Sequence, residues 1–272
     1  MEPGLSFNIC VLDMNAGHRN NSIRTLGGLL TRFLTQLRAA NPRLSCAYEV
    51  VSLREGASIP RDATVYVSSG GPGSPLEVDT APWGPQFRGL LETLCASPSD
   101  GPRLLGICYS FECIVHCLEL GRVHRTEKPE RGVHLMDVAL QARHPLVAPL
   151  APRFPVFEVR EWAVAGELRS SYGACPVASL ARHADTGVVE ALAVGTVIEA
   201  VQFHPEAAPG EIRTWLRESE QEQWLTRHYG AQGYGRMMGL AANNDLERTF
   251  DMVPDWLRRA YESWVQRNNL KA

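Results

Sequence analysis

The sequence predicts an α/β fold, with a mostly parallel, twisted central sheet flanked by helices and then a helical C-terminal extension. Three observations predict it. Short apolar runs of strand length alternate with stretches of helical spacing through the first 120 residues, as in βαβ units. From Val133 to Val201 the texture is strand-like and prolines are frequent. After Pro209 it becomes helical.

Phe7–Leu12 (FNICVL) is a short apolar run ending at Asp13 and reads as a buried strand. Ser22–Ala40 carries Ile23, Leu26, Leu29, Leu30, Phe33, Leu34 and Leu37 at helical spacing. Ser22 is the expected N-cap, and Asn41-Pro42 ends the helix. Tyr48–Leu53 and Thr64–Val67 are further β-rich runs, the second leading into the turn cluster from Ser68 to Pro75. Gly89–Leu94 reads as helix, Arg103–Cys108 as an apolar strand, and Phe111–Leu120 as the helix that follows it. Val197–Phe203 (VIEAVQF) is the clearest late strand. Two helical stretches close the chain. Glu211–His228 carries Ile212, Trp215, Leu216 and Trp224. Pro254–Asn268 carries Trp256, Leu257, Tyr261, Trp264 and Val265 on one face.

Composition fits this picture. The 272 residues, 44% hydrophobic and 21% charged, suit one large domain or a domain with an appendage, at roughly 100–200 residues per domain. The expected division is a catalytic unit over 1–209 and a helical extension over 210–272 packed on it. Net charge is −3, so there is no cationic excess to neutralise a nucleic-acid backbone. No apolar run approaches the ~20 residues of a membrane span. Glu2, Asn8 and Asp13 do not suit a secretory leader. The odd count of seven cysteines reads as reduced thiols, and the expected location is cytoplasmic.

Gly106-Ile107-Cys108-Tyr109-Ser110 lies where a strand meets a helix, with small residues two before and two after the cysteine. A nucleophile elbow needs this, because its turn is too tight for larger neighbours. The helix N-terminus there favours a thiolate. Far downstream, Gln202-Phe203-His204-Pro205-Glu206 ends a strand. His204 suits the role of proton acceptor, and Glu206 can orient its ring and stabilise the cation. Gly70-Gly71-Pro72-Gly73 supplies backbone N–H groups able to approach an oxyanion closely.

SGGPGSP, GICYSFE and VQFHPEA, in this order, resemble the three signatures of class I glutamine amidotransferase domains. The likeness is closest to the glutaminase part of GMP synthase and to stand-alone proteins similar to it, and spans roughly Phe7–Pro209. The resemblance implies a flavodoxin-like fold and hydrolysis of the glutamine side-chain amide through a γ-glutamyl thioester on Cys108. It further implies His204 and Glu206 as the other catalytic residues, and the N–H groups of Gly71 and Tyr109 as the oxyanion hole. Substrate contacts fall to Gly73, Glu112 and a segment before the last strand, here Ser171 and Tyr172. Two positions depart from the family pattern: Ser110 replaces glycine, and Glu112 replaces glutamine. An ionised carboxylate only accepts hydrogen bonds, whereas an amide both donates and accepts. Glu112 is therefore expected to alter the recognition of glutamine.

Other patterns take simpler readings. Cys113, His116 and Cys117 do not match common metal spacings from Cys108, and read as packing of the elbow helix. The glycine loop lacks the Lys-Ser/Thr ending of a Walker loop. Neither a cofactor nor a metal is expected. Three functions remain open. The first is a glutaminase that releases ammonia for a separate synthase subunit. The second is a hydrolase or transferase acting on another γ-glutamyl or related amide. The third is a non-catalytic homologue that binds a ligand or partner.

Overall fold

A computed structural model of the chain describes residues 6–18, 21–97, 101–139 and 144–268. Glu2 of the leader reading lies outside them. The first half runs β1 (Ser6–Asp13), α1 (Asn21–Ala40), β2 (Ser45–Ser52), β3 (Val65–Ser68), α2 (Gly84–Ala96), β4 (Arg103–Ile107) and α3 (Tyr109–Cys117). Six strands follow: β5 (Arg122–Val138), β6 (Arg153–Ala165), β7 (Ser171–Tyr172), β8 (Cys175–His183), β9 (Val189–Val194) and β10 (Ile198–Val201). The last described elements are α4 (Pro209–Leu216), α5 (Ser219–Ala241), α6 (Asp245–Phe250) and α7 (Met252–Arg267).

Strand order is β2-β1-β3-β4-β10-β9-β6-β5-β8-β7. The first five strands of that order are mutually parallel, in the doubly wound flavodoxin-like order. From β9 onward every pairing is antiparallel, and β9 also pairs with β8. Strands β9, β6, β5 and β8 therefore close into a four-stranded barrel. The fold is mixed α/β, and the expected mostly parallel sheet is corrected: only one half is parallel. The reason is connection length. Parallel neighbours need crossovers of a dozen residues or more, usually helical. The links after β7, β8 and β9 are turns of a few residues, so those strands reverse.

Both faces of the parallel half are covered. On one face α1 and α7 bury a shared core, in which Phe7 meets Tyr261 and Trp264 with ring centroids 5.3 and 5.4 Å apart. On the other face lie α2 and α3, packed through Phe87, Leu91, Ile114 and Val115. A third apolar cluster joins α4, α5 and α6 to Val133 of β5. The single helix expected over Glu211–His228 is two, because Glu218 is extended (φ −62°, ψ 132°). Helix α5 is itself interrupted at Gly230 (φ 72°, ψ 167°). Neither proline nor glycine marks the first break, so sequence pattern alone does not reveal it. Among the described residues no helix is long and apolar enough to cross a membrane.

Candidate active site

A cleft of about 560 Å³ opens at the carboxyl ends of β3, β4 and β10, where open α/β sheets place their ligands. Each of the three motifs ends one of these strands. Cys108 follows β4 and precedes α3 with φ 52° and ψ −110°. For a residue with a Cβ this left-handed backbone is strained, and such strain gathers at functional turns. A Cβ on Gly106 would lie 2.5 Å from Ile114 Cδ1, so a larger residue two before the cysteine would have to push that side-chain tip aside. Two residues after it, Ser110 is fully buried. Its hydroxyl donates to Ser69 O at 2.6 Å and accepts from Ser68 Oγ at 2.7 Å. The serine thus fits the elbow and ties it to the strand end that carries the glycine loop.

His204 follows β10. Its Nδ1 is 2.8 Å from Glu206 Oε1, and its ring lies beside Cys108, which contributes to its charge balance. Gly70 passes beneath: a Cβ there would lie 2.9 Å from His204 Cε1 and 3.4 Å from Cys108 Cβ. Burial disfavours the imidazolium, yet Glu206 and Cys108 together hold the His204 pKa well above its ordinary value. Burial likewise works against the Glu206 carboxylate, but His204 and Ser22 keep its pKa below the ordinary range. Cys108 is 6% exposed, and Gln202 Nε2 lies 3.8 Å from its sulfur.

The glycine loop is clamped from behind. A Cβ on Gly71 would stand 2.1 Å from Met14 O, so the backbone approach there requires glycine. Arg54 donates to Met14 O and Pro72 O at 2.7 Å each and pairs with Glu77 at 2.5 Å. Its guanidinium also covers the Tyr109 ring at 4.6 Å. The Tyr109 side chain is buried away from the cleft and donates to Glu77 Oε1 at 2.9 Å. Its backbone N–H belongs to the first turn of α3, whose amides have no acceptor within the helix. Gly71 and Gly73 line the cleft with Cys108, Glu112, His204 and Glu206.

Glu112 is 3% exposed. Burial pushes its pKa up to about 8, against the opposing pull of Gln202, Arg160 and His204. Near neutral pH its carboxyl is therefore mostly protonated and can donate as well as accept, as an amide does. The expectation for Ser171 and Tyr172 is corrected. They form the short strand β7 against β8 (Tyr172 beside Cys175), and Tyr172 packs toward the core that contains α2. Neither lines the cleft. The tight β7–β8 turn holds this pair to its neighbour strand, away from β4 and β10.

Several cleft or supporting residues carry no local sequence signal. Ser22, expected as a helix cap, lies inside the first turn of α1 and donates to Glu206 Oε1 at 2.7 Å. Arg54 comes from the short helical turn that follows β2 and Arg160 from β6. Phe157, Val159, Trp162, Ile212 and Trp215 add apolar surface.

His134, Glu158 and His183 lie close enough together to share an ion, with their donor atoms within 4.8 Å of one another. Their hydrogen bonds do not suit one. His183 Nδ1 accepts from the backbone N–H groups of Asp185 and Thr186, which leaves the proton on Nε2, the remaining nitrogen. A metal-bound histidine instead donates from its second nitrogen. Arg160 already supplies the positive charge, 3.4 Å from Glu158 and 3.0 Å from Glu190. Cys113 is fully buried and Cys117 nearly so, while His116 pairs with Asp79 at 2.7 Å.

The family profile described as "Glutamine amidotransferase class-I" matches residues 32–220. A search of curated proteins by sequence finds no match. Among solved structures the chain is similar to a glutamine amidotransferase from Thermotoga maritima. The TM-score is 0.63 at 12% identity, covering 94% of this chain and 98% of that one. It is also similar to a glutamine amidotransferase from Methylobacillus flagellatus, with a TM-score of 0.60 at 16% identity, covering 96% of this chain and 94% of that one. At such identities the likeness is one of fold.

Proposed function

Because the chain belongs to the class I glutamine amidotransferase family, we propose that it hydrolyses the side-chain amide of glutamine with Cys108, His204 and Glu206. One observation carries this reading: the His204 ring, bonded to the Glu206 carboxylate, stands beside Cys108 at the mouth of a cleft. Cys108 Sγ bonds to the amide carbon, and the oxyanion is met by the N–H groups of Gly71 and Tyr109. The C–N bond then breaks, and ammonia leaves with the proton held by His204. Water, deprotonated by the same ring, cleaves the γ-glutamyl thioester to glutamate and frees the thiol.

Glu112 and Gly73 complete the substrate contacts in this reading. A neutral Glu112 supports glutamine as a substrate, since it offers both a donor and an acceptor where the family pattern has an amide. Residues 1–209 are taken as the catalytic unit and 210–272 as its helical extension. The ammonia is taken up by a synthase on another polypeptide. All seven cysteines are free thiols, which suits a reducing compartment such as the cytoplasm. The test is ammonia release from glutamine together with labelling by a glutamine-like diazo-ketone. Cys108-dependent turnover and an adduct on Cys108 are the expected results. No adduct and no turnover would favour a non-catalytic homologue.

A further inference from the structure

We infer that the amide this site is shaped to cleave is an N-substituted γ-glutamyl amide with an apolar amine portion. Free glutamine is then the smaller and poorer substrate. This rests on the cysteine chemistry proposed above and extends it to the substrate.

Two parts of the cleft differ in chemistry. His204 gives its proton to the departing nitrogen, so whatever that nitrogen carries must lie beside the His204 ring. An apolar wall stands there, alongside the polar Ser22 that holds Glu206. The Phe157 ring centroid is 6.2 Å from that of His204, and Phe157 O accepts the His204 backbone N–H at 2.9 Å. Trp215 of α4 meets Phe157 edge-on at 5.1 Å, and Ala207 and Ile212 continue the wall. Charged lining comes from Glu112, Arg160, Arg131 and Glu161, at the end of the cleft formed by α3, β5 and β6. That end suits the α-ammonium and α-carboxylate of a γ-glutamyl group. Ammonia as leaving group needs no wall at all.

Size points the same way. The cleft of about 560 Å³ falls within the roughly 300–1,000 Å³ that encloses drug-sized ligands. Glutamine, with about ten non-hydrogen atoms, leaves most of that space empty. An aromatic or branched amine fills the Phe157–Trp215 side without charge. The reaction balances with water alone: γ-glutamyl–NHR + H2O gives glutamate + RNH2. Cys108 Sγ bonds to the carbonyl carbon, the C–N bond breaks and RNH2 leaves with the His204 proton. Water then supplies the hydroxyl that releases glutamate.

The experiment compares L-γ-glutamyl-benzylamide, L-γ-glutamyl-methylamide and glutamine as substrates of the full chain. Benzylamine is less basic than methylamine, so the change of the benzyl-to-methyl ratio on substituting Trp215, with the leaving groups held constant, is what reports contacts to the amine portion. The expected kcat/KM for benzylamide is at least tenfold above that for methylamide, with glutamine below both. Trp215→Ala should lower the benzyl-to-methyl ratio at least fivefold, and Trp215→Phe should restore most of it. The wild-type ratio stands whether or not the alanine variant folds. Turnover of glutamine with a benzyl-to-methyl ratio near one overturns this inference and leaves the glutaminase reading intact. It would instead match a wall that a partner subunit covers. Turnover of none of the three overturns both.

Discussion

The two halves of the sheet bury different things. The parallel half, β2-β1-β3-β4-β10, is almost wholly apolar inside: β3 and β10 are buried along their full length. The buried charge on its strands, among the described residues, is Glu199, which accepts the indole N–H of Trp256. The barrel half buries Glu158, Arg160, His183 and Glu190, with Glu130 and His134 at the margin. Arg160 pairs with three carboxylates, those of Glu130, Glu158 and Glu190. Burial and the Glu158 charge push the Glu190 pKa well above the ordinary range. Burial works against the Glu158 carboxylate too, but Arg160 and Glu190 keep its pKa low. A proton on Glu190 thus brings the cluster nearer to neutrality, as a low-dielectric interior demands. The cleft sits on the seam. Its nucleophile and base come from the apolar half, and Arg160, whose charge acts on Glu112 in the cleft, comes from the ionic half.

The largest effect should fall on chemistry without touching either half. Cys108→Ala should lower amide hydrolysis by about 10⁴-fold or more, the scale seen when a nucleophile is removed. Its urea midpoint should stay close to that of the parent, because a small side chain replaces a small side chain. A variant that keeps more than a hundredth of the parent rate would remove Cys108 from the reaction.

Next comes stability, where the halves should part. Arg160→Met strands Glu130, Glu158 and Glu190 and should cost about 3–5 kcal/mol by urea unfolding. Ile107→Val, a trimmed methylene in the parallel half, should cost only about 0.5–1.5 kcal/mol. If Arg160→Met costs no more than Ile107→Val, the barrel interior is not held by charge balance, and the contrast between the halves fails.

These halves were unequally legible. Strands β1, β3 and β4 stand out because parallel strands buried on both faces read as continuous apolar runs. The three motifs are local, so a one-dimensional scan finds Cys108, Gly71, His204 and Glu206, and the fold brings them to one cleft. The barrel was hidden for two reasons. The charges its strands turn inward look like surface residues in composition. Its closure depends on the β8–β9 pairing, which no single segment announces. Ser171 and Tyr172 were expected at the site from their place before the last strand, yet backbone pairing holds them at β7. Ser22, Arg54 and Trp215 serve the cleft through contacts across the fold. Ser22 and Glu206, 184 positions apart, are the extreme case.

A third prediction uses pH to probe the seam itself. The Glu112 pKa is raised by burial from 4.5 to about 8, so the folded state keeps a proton that the unfolded state loses. Stability should then fall as pH climbs from about 4.5 to about 8 and level off above, by on the order of a few kcal/mol. Glu112→Gln removes that slope, and urea titrations between pH 5 and pH 9 measure it. On activity, kcat/KM for glutamine should fall above about pH 8 in the parent, where Glu112 loses its donor, and should hold up better in the variant. Equal slopes in both proteins would mean that Glu112 is already ionised at neutral pH.

The smallest effect belongs to Ser22, a positioning residue on the apolar side. Its hydroxyl donates to the Glu206 oxygen that also binds His204 Nδ1. Removing it leaves the Glu206 carboxylate less compensated and more basic, which strengthens its pull on the imidazolium. The His204 pKa should therefore move up, and the alkaline limb of the pH–rate profile should move to higher pH. Ser22→Ala should cost about 3–10-fold in kcat/KM, in line with the ~1 kcal/mol that one hydrogen bond contributes. Ser22→Thr, which keeps the hydroxyl, should recover most of that loss. A role confined to helix α1 predicts otherwise: stability would drop with the rate, and the alkaline limb would stay where it is. A shifted limb with unchanged stability would show that the apolar half also tunes the charge on which the reaction depends.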